Sequence, residues 1–213
     1  MLVTLLVFLQ IYSSTSFASS LVESRARLSI PYTSSLSSLQ DPNSPLTLGL
    51  VPVNSLSHFC VVTSWDAYET ILSTYSTFLG LAVPTPGIAG GPDSNSTYLG
   101  RKLMGTTKIA FLQLNNNTRL EFLAGQPDQP SWWRDVYLEK GFEIHHQGYE
   151  LPESMDVWQV ATAFMNSKWG QIVQFGHWGE YGTYVYLDSQ LSLGVTVELL
   201  GGMTNCANLP ISS

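Results

Sequence analysis

An internal repeat constrains the fold of this chain more than any other feature of its sequence. Residues 57–63 (SHFCVVT) and 145–151 (HHQGYEL) both have the pattern of a short strand with a histidine near its start. Residues 120–125 (LEFLAG) and 197–202 (VELLGG) match as closing strands, and each carries a glutamate in second position. Such self-similarity predicts two copies of one supersecondary unit that share a core, because one copy alone would leave its apolar face exposed.

An amphipathic segment with helical spacing follows each histidine-bearing strand. Its apolar face consists of Trp65, Tyr68, Ile71, Leu72, Tyr75, Phe78 and Leu79 in the first half, and of Val157, Val160, Ala161 and Phe164 in the second. Strand-like runs come next, at 108–114 and 118–123 and then at 171–175, 181–187 and 194–200. Segment 84–100 is rich in Pro, Gly and Ser and is expected to be a long loop. The second half therefore predicts a β-α-β-β-β module, the repeat extends the same arrangement to the first half, where two of the three later strands are visible, and the chain as a whole predicts an α+β fold.

The composition is that of a folded globular protein. Charged residues make up 12% of the 213 residues and hydrophobic residues 44%, which is too apolar for a disordered chain. Sixteen acidic against nine basic residues give a net charge of -7, which argues against nucleic acid or an anionic membrane as a partner, since both attract positive surfaces. Two cysteines are too few for a thiolate zinc site, so a metal would need histidine and carboxylate ligands.

The first fifty residues are expected to lie outside this fold. Residues 2–12 are uncharged and apolar, too short to span a bilayer but suited to the core of a signal peptide. We therefore expect a signal peptide at 1–18, a secreted protein and no stable membrane span; an uncleaved, membrane-associated N-terminus is the alternative. Residues 19–50 have the composition of a Ser- and Pro-rich linker or pro-segment. Glycosylation sequons at Asn95 and Asn116 agree with secretion.

With these motifs, the chain from about residue 56 to 202 resembles the vicinal oxygen chelate superfamily, which includes glyoxalase I, methylmalonyl-CoA epimerase, extradiol dioxygenases and bleomycin-resistance proteins. The resemblance rests on the order of short motifs: HFCVV from His58, LEFL from Leu120, SWWR from Ser131, Gly141 through the HHQGY motif, and Tyr184–Asp188 followed by GVTVELL. It implies a domain at 51–205, with modules at about 56–125 and 143–202, followed by a tail at 206–213. Their strands would form one curved mixed sheet around a metal-binding cleft.

The resemblance also implies four metal ligands, two from each module. Carried over position by position, they are His58, Glu121, His146 and Glu198. His145 competes with His146, but the repeat places His146 opposite His58. Buried carboxylates that face one cleft repel each other without a cation, which favours a metal over four isolated polar groups. Two imidazoles and two carboxylates suit a divalent metal such as Zn, Ni, Co, Mn or Fe.

The expected function is that of a metal-dependent isomerase, epimerase or lyase that forms a metal-stabilised enolate on a small oxygenated metabolite. Glu121 and Glu198 are the candidate acid and base, one from each module. An Fe(II) extradiol-type dioxygenase and a metal-free small-molecule binding or sequestering protein are the alternatives. The family's dioxygenases use only the positions of His58, His146 and Glu198, so the presence of Glu121 favours the first expectation.

Further residues have weaker signals. Arg119, Trp133, Trp178 and Tyr181 are candidate substrate-binding residues, although Arg119 is equally suited to pairing with a buried glutamate and ordinary packing explains the aromatic residues as well. A Cys60–Cys206 disulfide is open, since the sequence does not give its geometry. Both modules are present, so one chain can complete a site, and a homodimer is an open alternative.

Overall fold

The computed structural model describes residues 51–178 and 182–202. The predicted signal peptide, linker and tail lie outside the described residues, as do Tyr181 and Cys206. The described residues form ten strands: β1 (Leu56–Val62), β2 (Gly87–Gly90), β3 (Thr97–Tyr98), β4 (Arg101–Lys102), β5 (Thr106–Gln113), β6 (Arg119–Gly125), β7 (Glu143–Glu150), β8 (Gln171–Trp178), β9 (Gly182–Asp188) and β10 (Thr196–Gly201). They also form four α-helices: α1 (Tyr68–Leu79), α2 (Trp132–Lys140), α3 (Val157–Asn166) and α4 (Gln190–Leu193).

All ten strands belong to one curled mixed sheet, in the order β2-β5-β6-β1-β7-β10-β9-β8-β3-β4. The first module contributes β2-β5-β6-β1 and the second contributes β7-β10-β9-β8, so the modules meet where β1 pairs with β7 in antiparallel fashion. Within each module the first strand runs parallel to the last, β1 beside β6 and β7 beside β10. The predicted α+β fold with two βαβββ modules in a curved mixed sheet, as the superfamily resemblance implied, is confirmed.

The two longer helices of the modules cover the outer face of the sheet. Helix α1 packs Tyr68 and Leu72 against Phe122 of β6. Helix α3 packs Val160 and Phe164 against strands β9 and β10 of the second module. Full burial of each such side chain contributes roughly 1.5–3 kcal/mol relative to leaving it exposed. These two helices leave the opposite, concave face of the sheet uncovered. Among the described residues, no helix is both long and apolar enough to cross a membrane.

Helix α2 links the modules and enters the concave side of the sheet. Ser131 caps this helix: its Oγ accepts a hydrogen bond from the backbone N–H of Arg134 at 3.2 Å and so satisfies one free donor of the first turn. The first two helical residues, Trp132 and Trp133, are buried in an apolar cluster with Tyr184 and Tyr186 of β9. This helix therefore fills part of the cleft that the curled sheet creates.

The long loop expected at 84–100 contains two strands. Strand β2 is the outermost strand of the first module and pairs with β5. Strand β3 pairs with β8, with Thr97 opposite Phe175 and Tyr98 opposite Gln174. The chain thus passes from one edge of the sheet at β2 to the other edge at β3 and β4. We call residues 91–105 the strap. The hydroxyl of Tyr98 in the strap donates a hydrogen bond to Asp135 of α2 at 2.6 Å.

Candidate metal centre

The four central strands bring the four candidate ligands together. Glu121 on β6 and His146 on β7 lie opposite the same residue of β1, Cys60, on its two sides. Gly148 of β7 occupies the equivalent place in the second module, between His58 of β1 and Glu198 of β10. The pairing of β1 with β7 therefore relates the two halves of the site by an approximate twofold symmetry.

The donor atoms of this cluster are close together and shielded from solvent. The Nε2 atoms of His58 and His146 are 3.0 Å apart. Glu198 Oε2 lies 2.9 Å from His58 Nε2 and 3.2 Å from His146 Nε2, and Glu121 Oε2 lies 3.4 Å and 3.0 Å from the same two atoms. The four residues are 1%, 3%, 0% and 5% exposed for His58, Glu121, His146 and Glu198.

These separations fit the donor shell of a single ion. Donors at about 2.1 Å from one ion lie about 3.0 Å apart at right angles and about 3.4 Å apart at a tetrahedral angle. In addition, Glu121 Oε2 is buried and makes no well-aligned hydrogen bond among the described residues, so that without a cation only the imidazole nitrogens at 3.0 Å and 3.4 Å compensate its charge. The four side chains therefore form a cluster that is able to hold a divalent metal; its identity is not specified by the donors.

The pKa values of the four residues in the metal-free cluster also favour a cation site. Burial lowers the pKa of the His58 imidazole, but the charges of Glu121 and Glu198 outweigh burial and raise this pKa from 6.5 to about 9. The pKa of His146 is raised for the same reason. Burial raises the pKa of the Glu198 carboxyl, but the charges of His146 and His58 lower it to about 2, and the pKa of Glu121 falls well below its usual range. A bound cation would replace the protons that hold these charges together.

His145 lies beside the cluster. Its Nδ1 atom is 2.7 Å from Nδ1 of His146, on the side of that ring opposite the carboxylates. Burial, and then the charge of His146, lower the pKa of His145 to about 3. Cys60, His145 and His146 also lie close enough to share an ion, but this group would draw on the same His146 ring. Among the described residues Cys60 is a free, buried thiol whose pKa is raised well above its usual value by burial.

A cavity of about 40 Å³ adjoins the cluster. Glu121 and Glu198 line it, whereas His58 and His146 do not, so a molecule in the cavity meets the carboxylates first. The other polar and aromatic residues that line the cavity are Trp133, Tyr184, Tyr186, His177, Ser96 and Thr107. Tyr186 accepts a hydrogen bond from Trp133 Nε1 at 3.1 Å, and the hydroxyl of Tyr184 donates to Ser96 Oγ of the strap at 3.1 Å.

The candidate substrate-binding residues fall in different places. Trp133 lines the cavity, whereas Arg119 is not among the lining residues and its guanidinium stacks 5.1 Å from the ring centroid of Phe111. Trp178 is the last residue of β8, and Tyr181 lies outside the described residues. The sequon residues Asn95 and Asn116 are both exposed, in the strap and in the turn between β5 and β6.

Tyr184 and Tyr186 were not among the sequence-predicted site residues. A signal for them exists, because residues two apart in a strand face the same side. Tyr186 lies opposite Glu198 in the pairing of β9 with β10, so a tyrosine two residues away from it also points into the cleft. Ser57 was likewise missed, although its position directly before His58 matches that of His145 before His146.

Comparisons with known proteins give structural matches only. No family model and no curated protein matches the chain. Solved structures match over 70% of the chain. They include a hypothetical protein from Bacillus halodurans, with 18% identity, a TM-score of 0.48 and 95% of that chain covered. They also include methylmalonyl-CoA epimerase from Mycobacterium tuberculosis (12% identity, TM-score 0.46, 88% of that chain covered) and a methylmalonyl-CoA epimerase in complex with methylmalonyl-CoA and NH4+ (14% identity, TM-score 0.45, 95% of that chain covered). Similarities of this size carry no information about the reaction of this chain.

Proposed function

We propose that this protein is a metal-dependent isomerase, epimerase or lyase that removes an α-proton from a small oxygenated metabolite and forms an enolate. One observation carries the proposal: four buried donors, a histidine and a glutamate from each module, are spaced like the shell of one ion. His58, Glu121, His146 and Glu198 would hold the ion. A bound divalent cation supplies Lewis-acid stabilisation of the negative charge that develops on a substrate oxygen.

The two carboxylates are the proton-transfer groups of this proposal. Each has two oxygens, so it can contact the cation through one and face the cavity through the other. Both line the cavity, and they come from different modules. One carboxylate can therefore remove a proton from a bound carbon acid while the other returns a proton to the opposite face, which is the requirement of an epimerisation. Proton return to a different atom would give an isomerisation.

The size and the lining residues of the cavity limit the kind of substrate that it can bind. At about 40 Å³ the cavity is far smaller than the several hundred Å³ of ordinary ligand pockets. Among the described residues, no Lys or Arg lines it, which disfavours a phosphate-bearing carrier such as coenzyme A as a deeply bound group. Trp133, Tyr184 and Tyr186 offer aromatic faces and hydroxyls instead. We therefore expect the substrate to be a compact molecule with a carbonyl beside a hydroxyl or carboxylate.

The fourth ligand favours this proposal over ring cleavage. Glu121 Oε2 lies 3.0 Å from His146 Nε2, inside the cluster, which leaves fewer open positions on an ion than a three-residue set would. A dioxygenase needs open positions for both its substrate and oxygen. A metal-free binding protein has no need of a buried glutamate whose Oε2 makes no well-aligned hydrogen bond among the described residues.

The proposal is tested by metal content and by hydrogen exchange. Protein purified without chelator should contain about one divalent metal per chain, and His58→Ala should contain none. With candidate α-hydroxycarbonyl compounds in D2O, the loaded protein should incorporate deuterium at the α-carbon without consuming oxygen. Oxygen consumption with ring opening would overturn the proposal in favour of a dioxygenase. Tight substrate binding by metal-free protein, with no exchange, would overturn it in favour of a binding protein.

We also propose that the protein enters the secretory pathway. The apolar segment at residues 2–12 and the exposure of Asn95 and Asn116 support this. Expression in eukaryotic cells should yield secreted protein whose mass falls on treatment with an N-glycosidase, and the Asn95→Gln, Asn116→Gln variant should show no such fall. Retention in the cytosol without a glycan would contradict it.

A further inference from the structure

Each candidate imidazole ligand has its Nδ1 atom against the side chain of the residue before it. Ser57 Oγ lies 2.9 Å from Nδ1 of His58, and His145 Nδ1 lies 2.7 Å from Nδ1 of His146. Ser57 and His145 hold the same position in the two copies of the repeat. Both rings are therefore held on the side away from the cluster by the residue that precedes them in the strand.

The two contacts of Ser57 Oγ define the hydrogen arrangement that we assign to His58 in the metal-bound protein. Ser57 Oγ lies 3.3 Å from the carbonyl oxygen of Gly148, which can only accept. With the single hydroxyl hydrogen of Ser57 directed to that carbonyl, Ser57 Oγ accepts a hydrogen bond from His58 Nδ1 at 2.9 Å. The hydrogen of the neutral His58 ring is then on Nδ1, and the lone pair of Nε2 faces the cluster.

The contact at His145 leads to the same result in the second module. His145 Nε2 lies 3.4 Å from the carbonyl oxygen of Trp132, so this nitrogen carries the hydrogen. A neutral imidazole carries one hydrogen, so with that hydrogen on Nε2 the Nδ1 atom of His145, 2.7 Å from Nδ1 of His146, is an acceptor. His146 then donates from Nδ1, and the lone pair of its Nε2 faces the cluster.

The carbonyl at the end of this second chain is itself fixed. The backbone N–H of Trp132 donates to Gln174 Oε1 at 2.9 Å, and its indole Nε1 donates to Thr196 Oγ1 at 3.2 Å. Thr196 is on β10, two residues from Glu198, and Gln174 is on β8. The start of helix α2 is thus anchored to the second module on two sides.

We propose that Ser57 and His145 are positioning residues for the metal site: each fixes its neighbouring histidine in the Nδ1–H tautomer and aims Nε2 at the ion. This inference rests on the proposed metal site and assigns a role to two residues that do not contact the ion. Removal of the hydrogen-bond partner of a metal-bound histidine typically weakens metal binding 10–100-fold. Ser57 and His145 should each have an effect in that range.

The experiment measures Zn²⁺ affinity by competition with a chromophoric chelator, using the full chain and matched variants. Ser57→Ala and His145→Phe remove the acceptor, and we expect a 10–100-fold weaker affinity for each. Ser57→Thr keeps the hydroxyl and His145→Asn keeps an oxygen near the position of Nδ1, so both should stay within about threefold of the unmodified protein. Thr74→Ala is the control, because Thr74 is exposed on helix α1 and its hydroxyl donates to the backbone carbonyl of Thr70.

A spectroscopic readout separates positioning from simple structural damage. In the Zn²⁺-loaded protein, long-range ¹H–¹⁵N correlation spectra should show His145 with its hydrogen on Nε2. A hydrogen on Nδ1 of His145 would overturn the inference, even if His145→Phe failed to fold. Equal affinities in Ser57→Ala, His145→Phe and the unmodified protein would also overturn it, as would an affinity loss in His145→Asn as large as in His145→Phe. If the unmodified protein binds no metal, the proposed function fails together with this inference. If the unmodified protein binds metal and the variants bind it equally well, only the inference fails.

Discussion

Gly148 leaves open the space that the imidazole of His58 occupies. The two residues face each other across the pairing of β1 and β7, and a Cβ atom added to Gly148 would overlap three atoms of the His58 ring. The ring therefore reaches the cluster over a strand that has no side chain at this point. The requirement is steric, because Gly148 is not among the glycines with a positive φ angle.

We predict that Gly148→Ala displaces His58 and weakens Zn²⁺ binding at least tenfold, at a cost of about 1–3 kcal/mol in the free energy of unfolding, as is usual when atoms are forced into a packed interior. Gly87→Ala is the matched control, since its Cβ would meet Ile109 Cγ2 at an ordinary 3.6 Å. Calorimetric Zn²⁺ titration and urea unfolding measure the two effects. Unchanged Zn²⁺ affinity in Gly148→Ala would show that the His58 ring is not held against this strand.

Glu121→Gln and Glu198→Gln should each reduce the deuterium-exchange rate of the metal-loaded protein by at least about 100-fold, because an amide cannot accept the α-proton. The shape of the side chain is retained, so the circular dichroism spectrum should be unchanged. Glu153→Gln, in an exposed turn, is the control and should exchange at the normal rate. Full activity in either cluster variant, at saturating metal, would remove that glutamate from the proposed proton transfer.

The repeat made the architecture predictable, and the superfamily resemblance supplied the set of candidate ligands. Two modules related by an approximate twofold axis place equivalent residues on equivalent strands, so the repeat placed His146 opposite His58, and the resemblance implied ligands at these positions and at Glu121 and Glu198. The structure brings their donor atoms within 4.8 Å of one another. Their role as metal ligands stays a prediction, since proximity alone does not establish a bound ion.

Other features depend on long-range pairing that local sequence does not encode. Strand β2 has the sequence GIAG, which lacks β-branched and aromatic enrichment and is held by its partner β5. Strand β3 has two residues and forms because the strap reaches β8 on the far side of the sheet. The inward aromatic pair Tyr184 and Tyr186 follows from strand alternation, but their place beside a cavity follows from the curl of the sheet and the position of α2.

Tyr186→Phe should destabilise the protein by about 1–3 kcal/mol, because the indole N–H of Trp133 is then buried without an acceptor. Trp133→Phe removes that donor, so adding Tyr186→Phe to it should cost markedly less than Tyr186→Phe costs alone. Urea unfolding of the two single variants and the double variant gives the coupling free energy. Strictly additive effects would mean that the hydrogen bond contributes nothing to stability.

The metal-free protein should be most stable near pH 6.5. The folded pKa of His58 is about 9, above its ordinary 6.5, so its contribution to stability is complete below pH 6.5 and is lost as the pH rises towards 9. The folded pKa of His145 is about 3, below 6.5, so stability falls as the pH drops from 6.5 and the unfolded chain takes up a proton that the folded chain rejects. Below pH 4.5 the lowered pKa of Glu198 adds to this loss. Each group contributes a slope of at most about 1.4 kcal/mol per pH unit.

Urea unfolding of chelator-treated protein at pH 5, 6.5 and 8.5 measures this optimum, and saturating Zn²⁺ should move it upwards. Zn²⁺ competes with protons for the same imidazoles, so its stabilising effect grows as the pH rises from 6.5 and His58 and His146 release their protons. His145→Asn should flatten the acidic limb below pH 6.5 and leave the alkaline limb in place, because the latter belongs to the ligand histidines. An alkaline limb that is the same with and without Zn²⁺ would contradict the assignment of His58 and His146 as the groups that both protons and metal occupy.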